Sequence, residues 1–152
     1  ARISILYPLG IYLTDEEEYL LRNVLRIDAS GGLVCQGDVP QDSEIRIMMG
    51  TQDSALQATK QAAWEAANAC KNTPLLGAIV FESVSRISLL GYRVNEEISI
   101  IKNILGENTP LIGVCTFGEQ APLTSLEYRG ESHYHNETIA IITMGEKFVF
   151  SE

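Results

Sequence analysis

Asn72-Thr73-Pro74-Leu75-Leu76-Gly77-Ala78-Ile79-Val80-Phe81 returns 36 residues later, Pro74 to Pro110, as Asn108-Thr109-Pro110-Leu111-Ile112-Gly113-Val114-Cys115-Thr116-Phe117. Each copy opens on a proline, which cannot continue a preceding helix. Each then runs apolar for the length of one strand, a pattern suited to strands buried on both faces. Helical patterns precede both copies. The echo therefore reads as two helix–strand units side by side, their strands parallel and joined by a crossover helix over residues 95–106. Two copies fall short of the ~3 that a solenoid needs.

Parallel strands place their carboxyl ends on one edge. That edge carries Glu82-Ser83-Val84-Ser85-Arg86 after the first run and Gly118-Glu119 after the second. Ligands of open α/β sheets bind outside strand carboxyl ends, so the candidate site lies here.

Working outward, the spacing of Ala55, Ala58, Ala62, Ala66 and Ala69 predicts a helix with one small-residue face. Ser54 and Gln57 are expected to cap its start, and Lys71-Asn72 with Pro74 to end it. Trp64 is expected in the core. The crossover helix should turn Ile98, Ile101 and Leu105 inward and stop at Gly106. The first fifty residues read as strands: Tyr19 to Ile27, a turn at Asp28–Gly32, Leu33 to Cys35, and an alternating Glu44 to Met48. Thr138 to Met144 reads as a third long strand. The expected fold is α+β: a mixed sheet with a parallel central pair, an antiparallel N-terminal meander and two principal helices. It forms one domain over residues 1–152 with its core at about 7–145.

The 152 residues carry 11 Lys plus Arg against 20 Asp plus Glu, a net charge of −9 spread along the chain. With no basic cluster, a nucleic-acid partner is not expected. The acidic run Asp15–Glu18 reads as a solvated loop. No stretch reaches the ~18 apolar residues of a membrane span, and no signal peptide is evident, so no membrane contact is expected of this domain. Cys35, Cys70 and Cys115 lack metal or disulfide spacing and read as buried thiols of a reducing, cytoplasmic compartment. The missing initiator Met and the apolar run at Lys147–Phe150 suggest a piece of a longer protein.

Short nucleotide, protease, esterase and calcium motifs are absent. His133 and His135 would share one side of a strand, which suits metal or haem, yet no third ligand stands nearby in sequence. Asn136-Glu137-Thr138 matches a glycosylation sequon that reads as accidental. Glu119 is a general base only if a nucleophile joins it, and otherwise binds a cation or bridges to Arg86. Cys115 reads as inert. With no nucleophile–base pair, the expectation is a non-enzyme without a cofactor.

These residues resemble a family. Phe81-Glu82-Ser83-Val84-Ser85-Arg86, Leu89-Leu90-Gly91, Pro110 to Gly113, Thr116-Phe117-Gly118-Glu119 and His135 to Thr138 resemble the C-terminal domain of FIST proteins (F-box and intracellular signal transduction). Tyr7 to Gly10, Tyr19 to Arg22 and Gly37 to Pro40 fit the same pattern. Two departures stand out: Ser83 where a Cys is frequent, and Cys115 where an aromatic is frequent.

The resemblance implies an intracellular sensory domain beside a FIST N-terminal domain and an output module such as a kinase or cyclase. It implies small ligands, amino acids among them, and for some members a haem-based gas sensor. The expected ligand-binding residues are Arg86, Thr116, Gly118, Glu119, His135, Asn136 and Thr138. Arg86 would offer a donor fork to a carboxylate and Glu119 would accept an ammonium. The alternatives are a protein–protein adaptor, in which Arg86 and Glu119 bridge each other, and the haem sensor.

Overall fold

The two echoed runs are parallel neighbours. The computed structural model describes residues 2–13, 19–70, 73–123 and 132–146. In chain order these form α1 (Arg2–Leu6), β1 (Leu9–Tyr12), β2 (Tyr19–Arg22), β3 (Val24–Ile27), β4 (Leu33–Cys35), β5 (Ile45–Ile47), α2 (Gln52–Ala69), β6 (Leu75–Ser83), α3 (Val84–Leu90), α4 (Val94–Leu105), β7 (Leu111–Thr116), β8 (Glu119–Ala121), β9 (His133–His135) and β10 (Ile139–Gly145), with a 3-10 turn at Gly91–Arg93. Strand β6 lies between parallel β7, from Ala78 opposite Leu111 to Ser83 opposite Thr116, and antiparallel β10, with Ile139 opposite Glu82. Strand β1 pairs antiparallel with β2 and β5, while β3–β4 and β8–β9 form two-stranded ladders. The fold is the expected α+β, with its strands divided among four sheets.

Helices α2 and α4 cover one face of β10–β6–β7. Ala63, Ala78, Val80, Ile101, Leu105 and Ile139 make the core between them. The small side chains of Ala63 and Ala78 let helix and sheet approach closely, and a tightly packed interior tolerates few voids. No helix among the described residues covers the other face. Ile79, Ile112 and Ile142 share a register there, as do Phe81 and Val114, and Ile112 is 59% exposed. Strand β6 thus buries one face, through Ala78, Val80 and Glu82, whereas β7 at the sheet edge buries no residue fully, and neither run is buried on both faces as expected.

Several local expectations are corrected. Helix α2 starts earlier: Thr51 is the N-cap and Ser54 the reciprocal partner of a capping box, each taking a backbone N–H of the other. Its buried stripe is Ala55, Leu56, Thr59, Ala63 and Ala66, so Ala58 and Ala69 are exposed and Trp64 is 49% exposed instead of core. The inward face of α4 is likewise turned: Glu97 is buried with Ile101 and Leu105, and Ile98 is exposed. In both helices the rotation puts a polar side chain, Thr59 or Glu97, where an arginine must be met.

The run from Tyr19 to Ile27 breaks at Asn23, whose N–H bonds the Asn136 side chain, so β2 and β3 join different sheets. The chain opens on α1 where strands were expected. Cys115 on the outer parallel strand is exposed, and Cys35 and Cys70 are half-buried, so none is the buried thiol expected. The Asp15–Glu18 run, Lys71-Asn72 and the Lys147–Phe150 run lie outside the described residues.

Candidate functional site

The carboxyl end of β6 passes directly into α3, with Ser83 as its N-cap. Arg86, in the first turn of α3, lies beside Glu82 at the strand end. Its Nε donates to Glu82 Oε1 at 2.8 Å. Its Nη2 donates to Glu97 Oε1 at 2.6 Å, Thr59 Oγ1 at 2.8 Å and the Ala55 carbonyl at 3.1 Å. The Thr59 hydroxyl in turn lies 2.6 Å from Glu97 Oε1. One guanidinium therefore ties β6 to α2 and α4. It is 5% exposed and Glu97 is 3% exposed. Charge-assisted bonds of this kind are the strong ones, and burial makes them expensive to leave unmade.

Glu119 opens β8. Its Oε1 accepts from the Thr116 hydroxyl, and the backbone N–H of Thr138 also supports the carboxylate. Burial raises its pKa, opposed by Thr116, by the Thr138 N–H and by the field of Arg86. The Thr138 carbonyl accepts from Ser83 N–H at 3.2 Å, which sews the turn before β10 to the end of β6. Between them Glu137 takes a left-handed backbone, φ 58°. That conformation costs a non-glycine residue about 1–2 kcal/mol and persists only where its surroundings impose it.

The structure brings the expected residues to one edge and redistributes their roles. Arg86 bridges Glu82 and Glu97 instead of Glu119, so it offers no free fork to a carboxylate. Thr116 and Glu119 face each other, and Thr138 joins them through its backbone. Gly118 lies against the ring of Tyr134, an exposed side chain that would have to move to admit a Cβ. His135 is buried with Nε2 2.9 Å from the Ala121 carbonyl, and burial lowers its pKa. Its ring meets that of His133 edge to face at 6.5 Å, and no metal-holding group of His, Cys, Asp or Glu occurs among the described residues. Asn136, 1% exposed, accepts from Asn23 N–H and donates to the His135 carbonyl. A side chain so enclosed is closed to glycosylation in this fold.

Five residues here were not among the expected ligand-binding residues, although Glu82, Glu137 and Arg22 stand in stretches that the sequence analysis quotes. Glu97 carried a signal: at i, i+4 and i+8 with Ile101 and Leu105, it is an acid on an apolar face. Glu82 stands at the end of an apolar strand. Glu137 and Arg22 carried only their place in the family pattern, and Asn23 carried no signal. Arg22, also buried, donates to the carbonyls of Asp38 and Tyr134 and holds β2 against β9.

The cluster is rich in acceptors that lack donors. Glu82 Oε2, Glu119 Oε2, Glu137 Oε1 and Asn23 Oδ1 are buried without a hydrogen-bond partner among the described residues. Burial lifts Glu82 to about 7 despite the Arg86 partner, with Glu97 and Glu119 adding to the rise. Burial lifts Glu137 to about 7 as well, against the field of Arg86. Such a site can accept hydrogen bonds and positive charge, or protons.

Comparison with known proteins places this edge in a family context. No curated protein and no solved structure matches the chain. The family model of the FIST C domain matches residues 1–122, which takes in the parallel pair, Arg86 and Glu119, and ends before β9 and the Asn136–Thr138 turn. With that match over most of its length, the chain belongs to the FIST C domain family.

Proposed function

We propose that this domain, whose family is associated with signal transduction, is an intracellular, cytoplasmic sensory module that takes a small ligand at the carboxyl edge of β6 and β7. An amino acid is the first candidate. The module passes occupancy to a FIST N-terminal domain and an output module such as a kinase or cyclase, and it catalyses no reaction. The observation that carries this reading is the set of buried acceptors left without donors beside Glu119. Buried polar groups in native proteins are nearly always bonded, so orphans gathered at a strand-end edge point to a missing partner. Ligand contact at this edge would bear on Ser83, Thr138 and Arg86, which lead into α2, α3, α4 and β10.

A second reading, a protein–protein adaptor, is favoured by the apolar face of β10–β6–β7 that no helix among the described residues covers. The haem reading gains no support, because His135 commits Nε2 to a carbonyl.

A thermal-shift screen of the 152-residue chain against L-amino acids and other small metabolites tests the sensor reading. Binding to the native state raises the melting temperature. A hit lost in Glu119→Gln supports it. Silence from every compound at millimolar concentration rejects it in favour of the adaptor. Arg86→Ala is unsuitable as the control, since it removes the centre of a buried network.

A further inference from the structure

Strand β7 is an outer strand of the sheet β10–β6–β7, and among the described residues no strand pairs with its far edge. One bond fixes the direction of its backbone groups. Ala78 N–H donates to the Pro110 carbonyl, so by the alternation of a parallel ladder Ile112 and Val114 turn their backbone toward β6. Leu111, Gly113 and Cys115 turn theirs outward. A row of outward N–H and C=O groups is a template for another strand, and native proteins guard it with charge, proline or a bulge. Other outer strands of this molecule carry such guards: a bulge at Met144/Gly145 on β10, Arg22 on β2 and Arg46 on β5. Strand β7 reads Leu-Ile-Gly-Val-Cys-Thr, with no charge, no proline and no break in register. Its side chains are uncovered too. Ile112 is 59% and Val114 41% exposed on the open face, and Gly113 and Cys115 are exposed on the other.

We propose that the β7 edge pairs antiparallel with the β7 edge of a second copy of this chain, about a two-fold axis at Gly113. This pairing is independent of any ligand at the carboxyl edge. Directly opposed residues of an antiparallel pair face the same side of the sheet. With Gly113 opposite its own copy, Leu111 meets Cys115 and Ile112 meets Val114, in both directions, as the isologous contact of a two-fold dimer requires. Leu111, Gly113 and Cys115 then form the hydrogen-bonded pairs, each exchanging both bonds with its opposite number. Ile112 and Val114 form the closer, non-hydrogen-bonded pairs, where apolar side chains contribute most. A slip of one residue would set outward groups against backbone already bound to β6.

Charge selects the occupant. The chain carries −9, so two copies repel unless their meeting surfaces are free of acids. The row Ile142–Ile79–Ile112 holds no charge, and the pairing continues it into Val114–Phe81–Ala140 of the second copy. One strand edge is small beside the ~1,600 Å² of a standard interface, so the dimer should depend on concentration.

The experiment measures the molar mass of the 152-residue chain under reducing conditions, by sedimentation equilibrium from about 10 μM to about 1 mM. The mass should rise from 16.7 kDa toward twice that value. Val114→Lys and, separately, Ile112→Lys each place a charge on the edge and should hold the chain at the monomer mass, so that one serves if the other fails to fold. A cross-link then tests the register. At Gly113 an added Cβ meets open space. Across a hydrogen-bonded pair the Cα atoms stand about 5.5 Å apart, which suits a disulfide. In a Cys115→Ser background under air, Gly113→Cys should therefore link two chains at least about tenfold faster than Ser88→Cys on the exposed side of α3. A mass that stays at 16.7 kDa throughout overturns the proposal. So does a dimer that persists in both lysine variants, because the copies would then meet elsewhere. Equal linking at positions 113 and 88 overturns the axis at Gly113.

Discussion

Arg86 and Arg93 begin as the same contact and end as different physics. Arg86 holds Glu82 at 2.8 Å and Glu97 at 2.6 Å. Arg93, one helical segment later, holds Glu96 through two bonds of 2.7 and 3.0 Å and Asp53 at 2.7 Å. By distance the clusters are equivalent. Around Arg93 the acids are open to water, the Asp53 side chain at 87% exposure, and attraction prevails: the Arg93 guanidinium holds Glu96 below its ordinary value. Around Arg86 the partner pulls the same way and loses. Burial outweighs it, and Glu82 rises to about 7. Geometry thus says which charges meet, and desolvation decides whether they stay ionised.

The largest effect should come from breaking the buried member. Arg86→Met leaves Glu82, Glu97, Thr59 and the Ala55 carbonyl without their donor, and should lower stability by about 3–5 kcal/mol in urea unfolding. A loss below about 1 kcal/mol would mean that water reaches the cluster as it reaches Arg93.

Next is Glu82→Gln, which keeps an acceptor for Arg86 and removes the titrating charge. The ordinary value is 4.5 and the folded value about 7, so between them the folded chain binds more protons than the unfolded one. Stability therefore falls as pH rises from about 4.5 to about 7 and is flat above. The variant should be more stable than the parent by about 1–3 kcal/mol at pH 8 and equal to it near pH 4, read from denaturation midpoints at the two pH values. An unchanged pH slope would show that Glu82 is ionised in the fold.

Thr59→Val tests the hydroxyl that joins Arg86 to Glu97 and should cost about 1–3 kcal/mol. The smallest effect belongs to Arg93→Ala: a slight loss at low salt that vanishes at about 1 M sodium chloride, where the screening length falls to about 3 Å. The Thr59→Val loss should survive that salt, because its partners are buried. If both losses respond to salt alike, the two clusters do not differ in the way described.

The same contrast explains what could be read in the chain. The echo of Asn72–Phe81 in Asn108–Phe117 revealed the parallel pair, because an apolar run of strand length after a helix has few ways to be buried. The strand-end edge followed from it, and Arg86, Thr116, Glu119, Asn136 and Thr138 do gather there. Their partners did not follow. Arg86 is expected to read a ligand carboxylate beside Glu119 or, in the adaptor alternative, to bridge Glu119. It takes instead Glu82, four residues back, and Glu97 from the crossover helix. Helix phase was the cause: a turn of one residue along α4 replaces Ile98 with Glu97 on the inner face, and periodicity alone cannot locate a face that sharply. Trp64 failed for the same reason on α2, where Thr59 and Ala63 take the inside.

By itself, then, the sequence determined the kinds of element, the parallel pairing and the edge where polar residues collect, since these follow from local apolar pattern and chain connectivity. The tertiary structure decided which acid meets which base and which oxygens are left without donors. Those depend on the rotation of α2 and α4 about their axes and on the meeting of β6, β8 and the Asn136–Thr138 turn, segments far apart in the chain whose contact no local pattern encodes.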